Sequence, residues 1–158
     1  MVDTVDAVEV ENSDANITLH VGFLLMPEYT LSTFSNAVSV LRMANRLSGR
    51  ELYRYSVFSL NGEPVISSSG IELVLDGSIK SLGDMNVLMV CGGYNIKNYC
   101  TKPVVDALRA MDKKKIPLGG MCTGSYVLAA AGLLDGYRST IHWENIASMR
   151  EQFPKLNI

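Results

Sequence analysis

The sequence predicts an α/β fold in which helices cover both faces of a mostly parallel sheet. Apolar runs typical of strands buried on both faces occur at residues 17–25, 86–91 and 116–118. Segments with helical periodicity separate these runs, and such alternation is typical of a three-layer sandwich. Glycines flank Cys122 just after the last run, which fits the sharp strand–turn–helix of a nucleophile elbow.

Length and composition predict one folded domain behind an acidic leader. The chain has 158 residues, of which 47% are hydrophobic and 19% charged, enough to bury a core. Residues 1–15 contain no lysine or arginine but hold Asp3, Asp6, Glu9, Glu11 and Asp14. We therefore predict a disordered leader over 1–15 and one domain over 16–158.

Charge and cysteine content exclude several classes of function for these residues. A net charge of −2 offers no electrostatic footprint for nucleic acid. Three cysteines without zinc-type spacing predict neither a disulfide framework nor a metal site, and free thiols are typical of a reducing cytoplasm. We find no signal peptide and no apolar run approaching the ~20 residues of a membrane span, so we expect a cytoplasmic protein without membrane contact.

The first half of the domain is predicted to contain one long helix among strands. After the strand at 17–25, an apolar stripe at helical spacing predicts a helix over 31–47, with Thr30 as its N-cap and Ser48-Gly49 at its end. Alternating apolar residues and intervening turns then predict short strands over 53–60, 64–67 and 71–75.

The second half repeats the alternation of strand and helix. The buried strand at 86–91 ends in Gly92-Gly93, and a helix with Pro103 in its first turn is predicted over 102–113. Beyond it we predict an elbow strand at 116–118, a helix over 125–134, a short strand at 139–142 and a helix over 143–153.

The stretch from Gly120 to Gly124 is the strongest candidate site. Glycines on both sides of Cys122 permit a turn that lifts the thiol out of the sheet. The helix that follows directs free N–H groups toward the sulfur, which favours the thiolate form. The alternative is an inert small residue at a tight turn.

Loops that follow neighbouring strands are expected to meet the elbow, because ligands of parallel sheets bind beyond the carboxyl ends of the strands. A thiol, a histidine and backbone N–H donors are the components of thiolate chemistry with an oxyanion hole. The candidate catalytic residues are Cys122 and His142, and the candidate ligand-binding residues are Cys122, Thr123, Gly93, Tyr94, Glu28 and His142.

Each of these assignments has a structural alternative. His142 is as easily explained by a hydrogen bond to the backbone, and Glu28 by a solvated loop. His20, inside the first strand, is interpreted as a core or interface residue, and Cys91 and Cys100 as structural thiols.

The run from Gly120 to Glu144, GMCTGSYVLAAAGLLDGYRSTIHWE, resembles the ThiJ/PfpI superfamily of the class I glutamine amidotransferase-like fold. More narrowly, it resembles the N-terminal domain of GlxA-type AraC-family transcriptional regulators. The segments 21–27, 41–46 and 87–93 agree with it, so the resemblance covers about residues 17–158. It implies a flavodoxin-like sandwich with Cys122 as the elbow residue.

The resemblance also implies roles for the neighbours of the cysteine. Gly93 and Thr123 match the oxyanion-type amides of the superfamily, and His142 matches the histidine of this subgroup. Enzymatic relatives, such as isocyanide hydratases, place an acidic residue early in the first helix. Here that position is Ser32 or Thr33, and residues 31–40 contain no Asp or Glu.

The missing carboxylate favours a binding module over an enzyme. We expect a non-catalytic domain that senses a small-molecule effector without a cofactor and forms a homodimer. By the resemblance, DNA binding belongs to a C-terminal helix-turn-helix domain outside these residues.

Two alternatives stay open. One is a cysteine-dependent hydratase or amidase-like enzyme, which requires a carboxylate or imidazole, from Glu28 or His142, within hydrogen-bonding reach of Cys122. The other is a redox sensor in which Cys122 oxidises reversibly to sulfenic acid, although no resolving cysteine is evident.

Overall fold

Five parallel strands form a central sheet in the structure, a computed structural model that describes residues 17–81 and 83–158. The strands are Leu19–Leu25 (β1), Tyr53–Ser59 (β2), Gly77–Ser78 (β3), Val87–Cys91 (β4) and Leu118–Met121 (β5). Their order across the sheet is β3-β2-β1-β4-β5, and every neighbouring pair is parallel. The leader predicted at 1–15 lies outside the described residues.

Helices pack on both faces of this sheet. They are Leu31–Ser48 (α1), Ile96–Tyr99 (α2), Lys102–Lys113 (α3), Gly124–Ala130 (α4) and Ile146–Gln152 (α5), with short 3-10 helices at Ile79–Ser81 and Trp143–Asn145. None of the helices within 17–81 and 83–158 is long and apolar enough to cross a membrane.

Successive side chains along each strand point to opposite faces of the sheet, which divides the core into two layers. On one face, Phe23 of β1 packs in a cluster with Phe34 of α1. On the other face, Leu24 of β1 belongs to a cluster with Leu108 of α3 and Val127 of α4. This arrangement confirms the predicted three-layer α/β sandwich with a parallel sheet.

Two long helices agree closely with their predictions, but several short elements do not. The strands predicted at 64–67 and 71–75 are wrong, because residues 60–76 form an irregular segment with a single antiparallel bridge between Ile66 and Glu72. We call residues 60–76 the strap. Its apolar residues Val65, Leu73 and Leu75 pack against the core beneath α1, so their alternation reflects burial and not a strand ladder.

Around the elbow, the observed bounds of the strand and the helix differ from the predicted ones. The strand lies at Leu118–Met121 and not at 116–118, because Gly119 and Gly120 add no apolar signal to the sequence. The helix predicted over 125–134 ends at Ala130, and Gly132 follows with φ of +72°. The strand predicted at 139–142 is wrong: a single parallel bridge joins Arg138 to Asn157.

The strand order creates a crevice at the carboxyl end of the sheet. The chain proceeds from β1 outward to β2 and β3, then crosses to β4 and β5 on the other side of β1. The loops after β1 and β4 therefore diverge from adjacent strands, which is the topological switch point where ligands of such sheets bind.

Candidate functional site

Cys122 occupies the sharp turn between β5 and α4. Its φ is +55°, a left-handed conformation that costs a non-glycine residue about 1–3 kcal/mol. The flanking glycines are required by close approach: a Cβ on Gly124 would lie 2.0 Å from the carbonyl oxygen of Val90, and one on Gly120 would lie 2.5 Å from the amide nitrogen of Ser125. The G-x-C-x-G pattern therefore does specify an elbow.

The side chain that meets the sulfur belongs to Thr30. Its hydroxyl oxygen lies 3.3 Å from Cys122 Sγ, and either atom can be the donor. Thr30 occupies the N-cap position of α1, as predicted, but its side chain makes no capping hydrogen bond there. The residue beside the thiol is therefore not Ser32 or Thr33, where the sequence comparison had placed it.

Among the described residues, the hydrogen bonds of the sulfur include no carboxylate and no imidazole. A threonine hydroxyl can donate to a thiolate or accept from a thiol, but it does not titrate in the physiological range. The pair can therefore hold the sulfur in place without supplying a general acid or base.

The loops after β1 and β4 are joined tightly beside the elbow. The amide of Tyr94 donates to the carbonyl of Glu28 at 3.1 Å, and that of Thr30 donates to the carbonyl of Gly92 at 3.1 Å. A Cβ on Gly93 would lie 1.9 Å from the Glu28 carbonyl oxygen. Only glycine at position 93 allows this approach without movement of the loops.

Two backbone donors are available next to the thiol. The Thr123 hydroxyl donates to the carbonyl oxygen of Gly93 at 2.8 Å, which holds the elbow against the loop after β4. The amides of Gly93 and Thr123 themselves donate no hydrogen bond to another group within the described residues. Both residues line the cleft, so these N–H groups can donate hydrogen bonds to an oxygen of a bound molecule.

His142 is tied to the elbow through its backbone. Its amide donates to the carbonyl oxygen of Cys122 at 3.3 Å, while its imidazole Nδ1 lies 3.7 Å from the Glu144 carboxylate. The structure thus brings His142 to the site but directs a ring nitrogen toward Glu144. The imidazole itself makes no capping hydrogen bond, so both interpretations of His142 stay predictions.

The cleft over the elbow has a volume of about 490 Å³. Most of the residues that line it have polar side chains, with one basic and one acidic side chain beside the histidine. The lining residues are Thr30, Ser68, Gly93, Tyr94, Asn95, Ile96, Lys97, Asn98, Cys122, Thr123, His142, Glu144 and Asn145. A cleft of this size can hold a small molecule, and the polar side chains offer it several hydrogen-bonding groups.

Of the predicted site residues, Glu28 is the one that does not line the cleft. Cys122, Thr123, Gly93, Tyr94 and His142 all line the cleft, and Glu28 does not. Its carboxylate instead accepts a hydrogen bond from the side-chain amide of Asn95 at 3.0 Å.

Several residues that line the cleft could not be predicted from the sequence. Thr30 was identified only as a helix cap, although its position at the end of the loop after β1 was a usable signal. Ser68 lies in the strap, and the residues of α2 belong to a helix of only four residues. Neither segment has a motif, so nothing in the sequence pointed to them.

The other side chains considered in the sequence, Cys91, Cys100 and His20, do not line the cleft. Burial, followed by the charge of the nearby Cys122, raises the pKa of the Cys91 thiol to about 12. Burial also raises the pKa of Cys100. The imidazole of His20 contacts the Ser56 hydroxyl at 3.0 Å and lies at the start of β1, at the end of the strand away from the elbow.

Comparison with known proteins finds a family match over most of the chain. The model of the DJ-1/PfpI family matches residues 20–155. The HTH-type transcriptional regulator GbdR of Pseudomonas aeruginosa is 44% identical over 136 residues, which cover 86% of this chain and 37% of GbdR. The HTH-type transcriptional regulator GlxA of Rhizobium meliloti is 36% identical over 148 residues, covering 92% and 45%. The chain thus spans less than half the length of these relatives.

A solved structure and an enzyme are also similar to this chain. The crystal structure of an AraC family transcriptional regulator from Pseudomonas putida has a TM-score of 0.76 and 32% identity, covering 87% of this chain and 74% of that chain. The isonitrile hydratase of Pseudomonas putida is 29% identical over 128 residues, covering 80% of this chain and 54% of the hydratase. Similarity therefore extends to regulators and, at lower identity, to an enzyme.

Proposed function

The chain belongs to the DJ-1/PfpI family, and we propose that it is the effector-sensing domain of an AraC-family, GlxA-like transcriptional regulator. The cleft over Cys122 binds a small polar effector, and a helix-turn-helix domain elsewhere in the whole protein binds DNA. The protein acts in the cytoplasm. The regulator relatives GbdR and GlxA support this proposal.

The pairing of Cys122 with Thr30 is the observation on which this proposal rests. General acid–base catalysis contributes typically ~10²–10⁴ in rate and requires a group that exchanges a proton. The hydroxyl of Thr30, which lies beside the sulfur, is not a group of this kind. An elbow equipped in this way favours binding over turnover.

Two features favour an enzyme as the second candidate. The strained φ of +55° at Cys122 presents the thiol as a nucleophile would require. The amides of Gly93 and Thr123 donate no hydrogen bond within the described residues and line the cleft, which makes them available as oxyanion-hole donors. This candidate is a cysteine-dependent hydratase or amidase-like activity.

Effector binding is tested by thermal unfolding in a panel of small polar metabolites. A ligand that binds the folded state raises the midpoint of unfolding by mass action. Ser68→Trp places a large side chain in the cleft at an exposed position, whereas Ser69→Trp adds the same side chain to the adjacent exposed residue outside the cleft. We expect ligand shifts to disappear in the first variant and persist in the second. Equal shifts in both would contradict the cleft as the binding site.

The enzyme candidate is tested by incubating the protein with an alkyl isonitrile and measuring the N-substituted formamide. We expect no formation above buffer, in either the parent protein or Cys122→Ser. Formation that depends on Cys122 would overturn the sensing proposal.

The link to DNA is tested on the gene. We expect two helix-turn-helix motifs downstream of the segment encoding this chain, and a reading frame that closes soon after Ile158 would contradict the regulator proposal.

A further inference from the structure

Lys97 is the basic side chain in the wall of the cleft, and the groups that it contacts are uncharged. Its ammonium donates a hydrogen bond to the Ser148 hydroxyl at 2.6 Å and lies 5.9 Å from the centre of the Tyr126 ring. The ion pairs within residues 17–81 and 83–158 do not include it. Because an ammonium has three N–H donors and Ser148 takes one, the others can bind a molecule in the cleft.

The position of this ammonium is fixed by a network between α4 and α5. Ser148, on α5, accepts a second hydrogen bond from the side-chain amide of Gln152 at 3.1 Å. The Tyr126 hydroxyl, on α4, donates to the amide oxygen of the same Gln152 at 2.7 Å. A lysine that is already held in place loses less side-chain entropy when it binds a ligand. Lys97 is therefore oriented by the protein before a ligand arrives.

The acidic side chains near the cleft have other neighbours. The carboxylate of Glu144 lies 3.7 Å from the imidazole Nδ1 of His142, and that of Glu28 accepts a hydrogen bond from Asn95. Neither forms an ion pair with Lys97. Within the part of the chain that the structure describes, the ammonium of Lys97 is thus a charge of the cleft without a counter-ion.

The backbone adds further donors to the same cleft. The amides of Gly93 and Thr123 line it and donate no hydrogen bond within the described residues. Together with the ammonium of Lys97, they require acceptor oxygens from the molecule that binds. An anion with several oxygens supplies these acceptors, and a hydrogen bond between charged groups is about twice as strong as one between neutral groups.

We propose that the effector carries a carboxylate or a phosphate and that Lys97 binds this anionic group. The amides of Gly93 and Thr123 donate to oxygens of the same molecule. This inference rests on the proposed sensing function and adds the chemical class of the effector. A neutral molecule of the same shape binds more weakly, because it leaves the ammonium without a counter-ion.

Molecules of equal shape and different charge test the assignment. Acetate and acetamide form such a pair, and inorganic phosphate is the second anion. Each is titrated into the purified protein at constant ionic strength, and the amide NMR signals of α2 are followed. We expect saturable shifts with acetate or phosphate, and binding of acetamide that is roughly tenfold weaker or less. The anion that binds more tightly identifies the group as a carboxylate or a phosphate.

Lys97→Met keeps a long side chain over Tyr126 and removes the charge. We expect the dissociation constant of the bound anion to rise by roughly 10- to 100-fold. Lys102→Met is the matched control, because Lys102 pairs with Asp106 on α3 and does not line the cleft; its dissociation constant should equal that of the parent. Equal binding of acetate and acetamide, no saturable shift with either anion, or unchanged affinity in Lys97→Met would each overturn the inference.

Failure of this inference is distinguishable from failure of the sensing proposal. A neutral or cationic metabolite that stabilises the parent, but not Ser68→Trp, would show that the cleft binds an effector of another class. In that case only the anionic class is wrong. Metabolite shifts that are equal in the parent and Ser68→Trp would contradict the cleft as the binding site, and the inference with it.

Discussion

The hydroxyl of Thr30 and the sulfur of Cys122 lie 3.3 Å apart, although 92 positions separate the two residues in the chain. The contact joins the start of α1 to the elbow between β5 and α4. It places an uncharged hydroxyl within hydrogen-bonding distance of the sulfur. The character of the site therefore depends on this pair more than on the cysteine alone.

Thr30→Val should slow alkylation of Cys122 by iodoacetamide about tenfold, since a hydrogen bond to a charged group contributes roughly 1.5–3 kcal/mol and tenfold corresponds to about 1.4 kcal/mol. Valine keeps the shape of threonine but cannot donate to the thiolate. Alkylation is followed by mass spectrometry of the peptide that contains Cys122. Thr33→Val, on the same helix, is the control and should leave the rate unchanged. Equal rates in all three proteins would show that the hydroxyl does not act on the sulfur.

Gly93→Ala should lower the free energy of unfolding by about 1–3 kcal/mol, the usual cost of overpacking. The added Cβ would lie 1.9 Å from the Glu28 carbonyl oxygen, so the loops after β1 and β4 must separate. Gly83→Ala meets no atom within 4 Å and should stay within about 0.5 kcal/mol of the parent. Urea unfolding measures both variants, and a similar midpoint for the two would contradict the close approach.

Thr123→Val should lower the free energy of unfolding by about 1 kcal/mol and expose the loop after β4 to hydrogen exchange. The substitution removes the buried hydroxyl that donates to the Gly93 carbonyl oxygen at 2.8 Å. Thr101→Val is the control, because Thr101 is exposed and its side chain makes no capping hydrogen bond. Unchanged exchange of the Tyr94 amide, which donates to the Glu28 carbonyl oxygen, in Thr123→Val would exclude a role for this bond in holding the loop.

The buried thiol of Cys91 should make stability fall at alkaline pH. Burial, and then the charge of Cys122, raises the pKa of Cys91 from 9.0 to about 12. The folded state therefore retains a proton that the unfolded chain releases, so the contribution is complete below pH 9 and declines as the pH rises toward 12. The free energy difference between the parent and Cys91→Ala should shrink by about 1 kcal/mol per pH unit above pH 9.

Val90→Ala controls for this effect, because it removes buried atoms from the same strand without a titrating group. Its loss of stability should not vary between pH 8 and the alkaline range, as followed by urea unfolding. A Cys91→Ala difference that is equally constant would contradict a buried, protonated thiol.

The long helices and the elbow could be predicted because their signals are local. The apolar stripe of α1 and the first-turn proline of α3 follow from helix geometry, and both helices lie at or within one residue of their predicted bounds. The glycines around Cys122 follow from steric requirements of a tight turn. The two strands predicted in the strap failed because alternation also arises where an irregular segment packs its apolar side chains inward.

The sequence by itself determined the layered α/β fold, the elbow cysteine and the resemblance to regulators, since periodicity and short motifs record how each segment meets its own neighbours. Only the tertiary structure decided that Thr30 contacts the sulfur, that Glu28 is not among the residues lining the cleft, and that α1 and the strap share one side of the sheet. Those relationships depend on how distant loops approach at the ends of parallel strands. Such distances follow from the strand order and the backbone path, which no local pattern encodes.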